Sequence, residues 1–148
     1  MKTNENIFAG HQSQCEKRQK NIVCAENAAK YEAHNVNRNL VRQYHIDGDV
    51  ICSKQRKCDY LVLNDEKRQA YLVELKSSKI QHAIDQINDT EKVVKSSLPS
   101  YQFYYRIVYG GSATHNVHDS KVLKWKNQGM YKGKMIADLK RHYYEENI

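Results

Sequence analysis

Three charged side chains in two apolar segments have the types and spacing needed to bind a metal ion with a water beside it. Asp59 stands near the start of the segment CDYLVL, and Glu74 and Lys76 stand at the end of the segment AYLVELK. Both segments are rich in Leu, Val and Tyr, which predicts β-strands. Side chains two residues apart in a strand project from the same face, so we expect Glu74 and Lys76 to lie on one face.

The polar stretch NDEKRQ between the two segments predicts a β-hairpin loop. A hairpin centred between Glu66 and Lys67 sets Asp59 opposite Glu74, with their Cβ atoms roughly 5 Å apart on one face. Like charges so placed destabilise a sheet unless something compensates them, and a divalent cation is a natural compensation. A Glu-x-Lys pair on a strand is more often a solvated ion pair, but the apolar strand and the matching acid favour a metal site here.

The remaining segments predict a single mixed domain. The element order is helix, strand, strand, strand, helix, strand, followed by further elements, which indicates an α/β or α+β fold with a central mixed sheet flanked by helices. Besides the hairpin, we predict a helix at 22–35, a strand or a strand with a sharp bend within 40–51, a helix from 78 to about 99, a strand at 102–109, a short strand at 122–126 and a helix at 135–146.

The composition favours an anionic partner. The 148 residues carry 24 Lys and Arg against 17 Asp and Glu, a net charge of +7. Nucleic acid is the commonest partner of such a surplus, although a solvated basic face would give the same totals. No apolar run approaches the roughly 18 residues of a membrane span, and the N-terminus lacks the apolar stretch of a signal peptide. We therefore expect a cytoplasmic protein that does not contact a membrane.

The hairpin motif resembles that of the PD-(D/E)XK, or restriction-endonuclease-like, nucleases. The match is Asp59 in KCDYLV and the run Glu74-Leu75-Lys76 in YLVELK, with Cys58 standing where many members have Pro. The resemblance covers residues 22–110, about the whole expected core, and leaves 111–148 as a basic C-terminal extension of the same domain. It implies a core of one helix, three strands, a helix and a further strand.

The resemblance also implies a reaction, the hydrolysis of phosphodiester bonds, in DNA more than in RNA. Asp59, Glu74 and the backbone carbonyl of Leu75 would hold Mg²⁺ or Mn²⁺, which activates a water. Lys76 would position or help to deprotonate that water and stabilise the developing charge.

Many members of the family complete the metal site with an acid on the first helix. Two candidates lie in the expected helix at 22–35, namely Glu26 and Glu32. On a helical wheel Glu26 falls inside the apolar face and Glu32 nearer its edge. A carboxylate that faces the sheet needs a partner, so we favour Glu26.

Basic side chains near the motif are candidates for phosphate contacts. Lys54, Arg56 and Lys57 come immediately before Asp59, and Gln86 on the second helix is a candidate for a substrate or water contact. A second basic stretch near the C-terminus contains aromatic residues that could stack on unpaired bases, and it is represented by Lys124 and Lys126. Each of these side chains could equally be an ordinary solvated group.

Two other kinds of function remain open. One is a catalytically silent member of the same fold that binds nucleic acid or a protein, although decayed members usually lose one residue of the set Asp59, Glu74 and Lys76. The other is an accessory subunit of a defence or repair complex. Cleavage of both strands of a duplex would favour a homodimer with two sites related by a two-fold axis.

Overall fold

The computed structural model describes residues 6–26, 28–77, 79–110 and 117–148, with only the backbone described for 76 and 77. This part of the chain is a mixed α+β structure. In chain order the elements are β1 (Asn21–Glu26), β2 (Ala29–His34), β3 (Val41–His45), β4 (Tyr60–Asn64), β5 (Gln69–Ser77), α1 (Ile80–Val94), the 3₁₀ turn η1 (Lys95–Ser97), β6 (Gln102–Tyr109), α2 (Ser120–Lys126), β7 (Met130–Tyr131), β8 (Lys134–Met135), β9 (Ala137–Arg141) and β10 (Tyr143–Asn147).

A five-stranded mixed sheet forms the centre, in the order β3-β4-β5-β6-β9. The strands β3, β4 and β5 are antiparallel, whereas β5, β6 and β9 are parallel. Parallel neighbours need a crossover connection, and α1 provides it between β5 and β6. The helix buries Ile80, Ala83, Ile84 and Ile87 against the sheet, so the predicted helix and the strand that follows it are confirmed.

The β4–β5 hairpin has the predicted register. Leu61 pairs with Leu72, and Leu63 pairs with Ala70, around the polar loop. These four side chains belong to the core cluster on the α1 side of the sheet. The register continues one step beyond the paired residues to set Asp59 level with Glu74.

The predicted helix at 22–35 is wrong, because this segment forms the antiparallel β1–β2 hairpin. Ile22 and Cys24 are buried in alternation on β1, and Ala29, Tyr31 and Ala33 are buried in alternation on β2. Burial at every second residue is the period of a strand, and it outweighs the helix propensity of the alanines. The first helix expected from the family resemblance is therefore replaced by a hairpin.

Two predictions near the C-terminus are also wrong. The segment 122–126 lies within the helix α2, where the Asp119 side chain accepts a hydrogen bond from the Lys121 amide at the N-terminus and Val122 and Trp125 face the core. The segment 135–146, predicted as a helix, supplies β9 to the central sheet and β10 to a second sheet. No helix in the described ranges is both long and apolar enough to cross a membrane.

A three-stranded sheet, in the order β1-β2-β10, covers the face of the central sheet opposite α1. A buried ion pair joins the two layers, since Nε of Arg106 on β6 lies 2.6 Å from a carboxylate oxygen of Glu146 on β10. The guanidinium also donates to the backbone carbonyls of Met135 and Ile136. Tyr31 donates to the same carboxylate, so Glu146 connects both sheets.

We expect Glu146→Gln to lower the free energy of unfolding by roughly 3–5 kcal/mol, because it leaves the buried Arg106 charge without a counter-ion. Urea denaturation followed by circular dichroism measures the change. The matched control is Glu145→Gln on the same strand, where an exposed carboxylate is lost and stability stays close to that of the wild type. Equal losses in the two variants would contradict the role given to the buried pair.

Candidate metal centre at the end of the hairpin

Asp59 and Glu74 lie side by side at the end of the β4–β5 hairpin, as the sequence predicts. Asp59 is 9% exposed and Glu74 is 5% exposed. The Leu75 amide donates a hydrogen bond of 2.8 Å to Oδ2 of Asp59. This bond ties the residue that precedes β4 to the strand that carries Glu74, so the spacing between the two acids is fixed by the backbone.

The Glu74 carboxyl group lacks a full set of partners. Its Oε2 atom is buried and has no hydrogen-bond partner among the described residues. Burial raises the pKa of Glu74 to about 11, and the charge and hydrogen bonding of Asp59 add to the effect. A buried carboxylate is stable only when a proton or a cation compensates it. The pair therefore fits a divalent cation, which prefers carboxylate oxygen ligands.

Helix α1 holds the chain segment that leads into Asp59. The Cys58 amide donates to Oγ1 of Thr90 at 2.8 Å, and Thr90 in turn donates to the carbonyl of Gln86. The side-chain amide of Gln86 donates to the carbonyl of Lys57 at 3.1 Å. The amide group of Gln86 thus positions the backbone next to Asp59, a role that the sequence alone did not indicate.

Two further acids act on Glu74 through their charges. Glu26 and Asp47 both raise the pKa of Glu74, which places them near the pair. Glu26 lies at the end of β1 and not on the predicted helix. The prediction therefore put Glu26 near the acid pair but on the wrong kind of secondary structure. Within the described ranges, no third carboxylate, imidazole or thiol joins Asp59 and Glu74 in a group whose ligand atoms all lie within 4.8 Å. A metal-binding role for Glu26 stays a prediction.

Lys76 lies in β5 two residues after Glu74, at an irregularity of the strand. The pairing of β5 with β6 shifts its register between Leu75 and Ser77. Such bulges often occur beside active sites, where they redirect a side chain. The side chain of Lys76 lies outside the described part of the chain. Its role, like that of the Leu75 carbonyl, stays a prediction.

The basic residues that precede Asp59 are largely paired with acids. Nε of Arg56 lies 2.9 Å from Asp89, and the guanidinium also reaches Asp85 on α1. The Lys57 ammonium lies 3.7 Å from Asp47, with 12% of its side chain exposed. Arg56 thus braces the loop against α1, which makes it less available to a phosphate than its place in the sequence indicates.

The other predicted phosphate contacts lie elsewhere on the surface. Lys54 is exposed on the loop before β4, and Lys124 is exposed on α2. Lys126 lies in the same last turn of α2, with its ammonium 3.9 Å from Asp138 on β9. Nucleic-acid binding by Lys54, Lys124 and Lys126 therefore stays a prediction.

A second group of ligand-type side chains lies on the outer face of the three-stranded sheet. Glu32, His34 and Glu145 have ligand atoms within 4.8 Å of one another. The Tyr143 hydroxyl lies within hydrogen-bond distance of both carboxylates, and Nε2 of His34 lies 3.1 Å from Glu145. These side chains already have hydrogen-bond partners, and they are partly or fully exposed, unlike Asp59 and Glu74. The sequence did not indicate it because β2 was predicted as helix.

Comparison with known proteins adds no relative from which a role could be transferred. No protein-family model, curated protein or solved structure matches this chain. The functional argument therefore depends on the chain's own residues.

We expect the stability of the metal-free protein to fall as pH rises. The folded state keeps a proton on Glu74 up to a pKa of about 11, whereas the unfolded chain loses it near about 4.3. Between these values only the folded state binds the proton, so the free energy of unfolding decreases by at most about 1.4 kcal/mol per pH unit. Glu74→Gln, which resembles the protonated group, removes this contribution to the pH dependence.

Urea denaturation in EDTA between about pH 6 and pH 9 measures the effect. The control is Glu66→Gln, which removes an exposed acid from the loop of the same hairpin and keeps the wild-type slope. Mg²⁺ should stabilise the wild type more at high pH, because the cation competes with the proton, and should not stabilise Glu74→Gln. Parallel pH profiles for the wild type and Glu74→Gln would contradict the buried, proton-bound carboxyl.

Proposed function

We propose that the protein is a metal-dependent nuclease that hydrolyses phosphodiester bonds. The observation that carries the proposal is the buried Glu74 carboxyl group, which has an unpartnered oxygen beside Asp59. Two oxygen ligands on one apolar face, with a lysine two residues further along the same strand, are the donor set of a Mg²⁺- or Mn²⁺-dependent phosphodiesterase.

The arrangement of the central sheet supports a restriction-endonuclease-like core. The order β3, β4, β5, α1, β6 is similar to the three strands, helix and strand of that family, with Asp59 directly before β4 and Glu74 on β5. The β1–β2 hairpin stands where the family has its first helix, so this chain departs from the pattern at its N-terminal side. The proposal therefore rests on the hairpin and the crossover helix.

The residues of the site have separate tasks in the proposed reaction. Asp59, held by the Leu75 amide, and Glu74, once it has lost its proton, would hold the metal ion together with the Leu75 carbonyl. The ion would lower the pKa of a water and stabilise negative charge on the phosphate. Lys76 adds positive charge on the same strand and positions or deprotonates the attacking water. The low exposure of both acids keeps these electrostatic effects strong.

The net charge of +7 supports a nucleic-acid substrate, and we propose DNA ahead of RNA. A homodimer would allow both strands of a duplex to be cut. The charge also suits a silent nucleic-acid-binding protein, so the test must separate binding from cleavage.

We expect the protein to cut at least one of plasmid, linear, single-stranded or branched DNA, or RNA, in Mg²⁺ and not in EDTA. Asp59→Asn, Glu74→Gln and Lys76→Ala should each lower the rate at least about 100-fold, because each removes a metal ligand or the charge beside the attacking water. Gel electrophoresis of labelled substrates measures the rates. The control Glu66→Gln should cut at the wild-type rate.

Cleavage that persists in EDTA, or that is unchanged in Lys76→Ala, would overturn the mechanism. Binding of every substrate without cleavage of any would support the silent-binding function instead.

A further inference from the structure

The C-terminal end of β9 places a basic residue at the same end of the central sheet as the acid pair, Asp59 and Glu74. Glu74 pairs with Ile107 on β6, and Ile107 pairs with Leu139 on β9. Two residues further along, Tyr109 pairs with Arg141. Because β5, β6 and β9 run parallel, Arg141 and Glu74 both lie towards the C-terminal ends of these strands.

Arg141 also lies on the same face of the sheet as Glu74. Ile107 and Leu139 are both buried in the core cluster on the α1 side, and side chains alternate along a strand, so Arg141 points to that side as well. A strand spacing of about 4.8 Å and a rise of about 3.3 Å per residue put the Cα atoms of Glu74 and Arg141 roughly 12 Å apart. An arginine side chain at this place is long enough to extend towards the acid pair.

The guanidinium of Arg141 is available for an external anion. Arg141 is exposed, and the arginine ion pairs of the described ranges belong to Arg18, Arg42, Arg56 and Arg106. Its neighbour Lys140 projects from the opposite face, where the ammonium lies 4.7 Å from the centre of the Tyr144 ring. Arg56, by contrast, is already bound to acids of α1.

The backbone after Arg141 is fixed by both sheets. His142 is the single residue between β9 and β10, and it adopts a φ of 65°, a conformation that side-chain-bearing residues rarely take. Its amide donates to the Tyr109 carbonyl in the central sheet, and its carbonyl accepts from the Lys30 amide in the other sheet. The backbone at Arg141 is therefore fixed before any ligand binds, so that binding has to order only the side chain.

We propose that Arg141 binds a backbone phosphate of the nucleic acid, next to the phosphate that lies at Asp59 and Glu74. This inference rests on the proposed function and names a substrate contact of the same site. The planar guanidinium donates two parallel hydrogen bonds to phosphate oxygens, a geometry that a lysine ammonium does not reproduce. Arg141 thereby holds the strand in register with the metal site without taking part in the bond cleavage.

The test measures binding and cleavage separately in Arg141→Ala, Arg141→Lys and the matched control Lys140→Ala. Binding of a short fluorescein-labelled DNA, single-stranded and duplex, is followed by anisotropy from about 50 to 200 mM salt in the Glu74→Gln background, so that no substrate is consumed. Arg141→Ala should reduce the slope of log K against log salt by about one, and Lys140→Ala should leave it unchanged. In the active protein, Arg141→Ala should raise KM several-fold more than it lowers kcat, and Arg141→Lys should restore part of the loss.

Equal slope changes in Arg141→Ala and Lys140→Ala would overturn the proposal, because any basic residue of the surface would then contribute equally to DNA binding. An unchanged slope in Arg141→Ala, or no binding of either DNA by the parent protein, would overturn it as well. Thermal denaturation should show wild-type stability for Arg141→Ala and Arg141→Lys, because the described structure gives Arg141 no buried ion pair, and it measures separately what Lys140→Ala loses with its contact to the Tyr144 ring. A reduced slope in Arg141→Ala without cleavage of any substrate by the wild type would support the phosphate contact and overturn the proposed hydrolysis.

Discussion

Asp59 and Glu74 are held next to each other where water has little access to either carboxylate. Removing a charged group from water is costly, and a second like charge beside it adds to the cost. This cost raises the pKa of Glu74, so that the carboxyl group keeps its proton unless a cation takes the proton's place. Since the hairpin could have closed on apolar side chains at no such cost, the pair is a candidate for a functional site.

The rest of the fold keeps that pair in place. The polar loop fixes the register of β4 on β5, and the Leu75 amide fixes Asp59 against β5. The crossover helix α1 anchors the preceding backbone through Thr90 and Gln86. The C-terminal strands then complete both sheets, so the segment that carries Arg141 reaches the same edge as the acids. The hairpin contacts are local, whereas the contacts of α1 and of β9 join residues that are distant in the sequence.

Local pattern was enough to predict the acid pair but not its surroundings. Counting residues outward from the polar loop is enough to predict that Asp59 lies opposite Glu74. The helical spacing of apolar residues is enough to predict α1. The β1–β2 hairpin was missed because its alanines favour a helix, while the deciding alternation of Ile22 and Tyr31 with exposed residues needs a second layer to pack against. The place of Arg141 depends on parallel pairing with β6, which no local pattern encodes.

The most direct measurement of the central claim is a crystal structure of the protein soaked in Mn²⁺, with anomalous difference density recorded. We predict a peak within bonding distance of carboxylate oxygens of both Asp59 and Glu74, at about 2.0–2.3 Å. No peak there, or a peak only at Glu32, His34 and Glu145 on the outer sheet, would contradict the account. So would Asp59 and Glu74 carboxylates more than about 8 Å apart, because one cation could not then bind both.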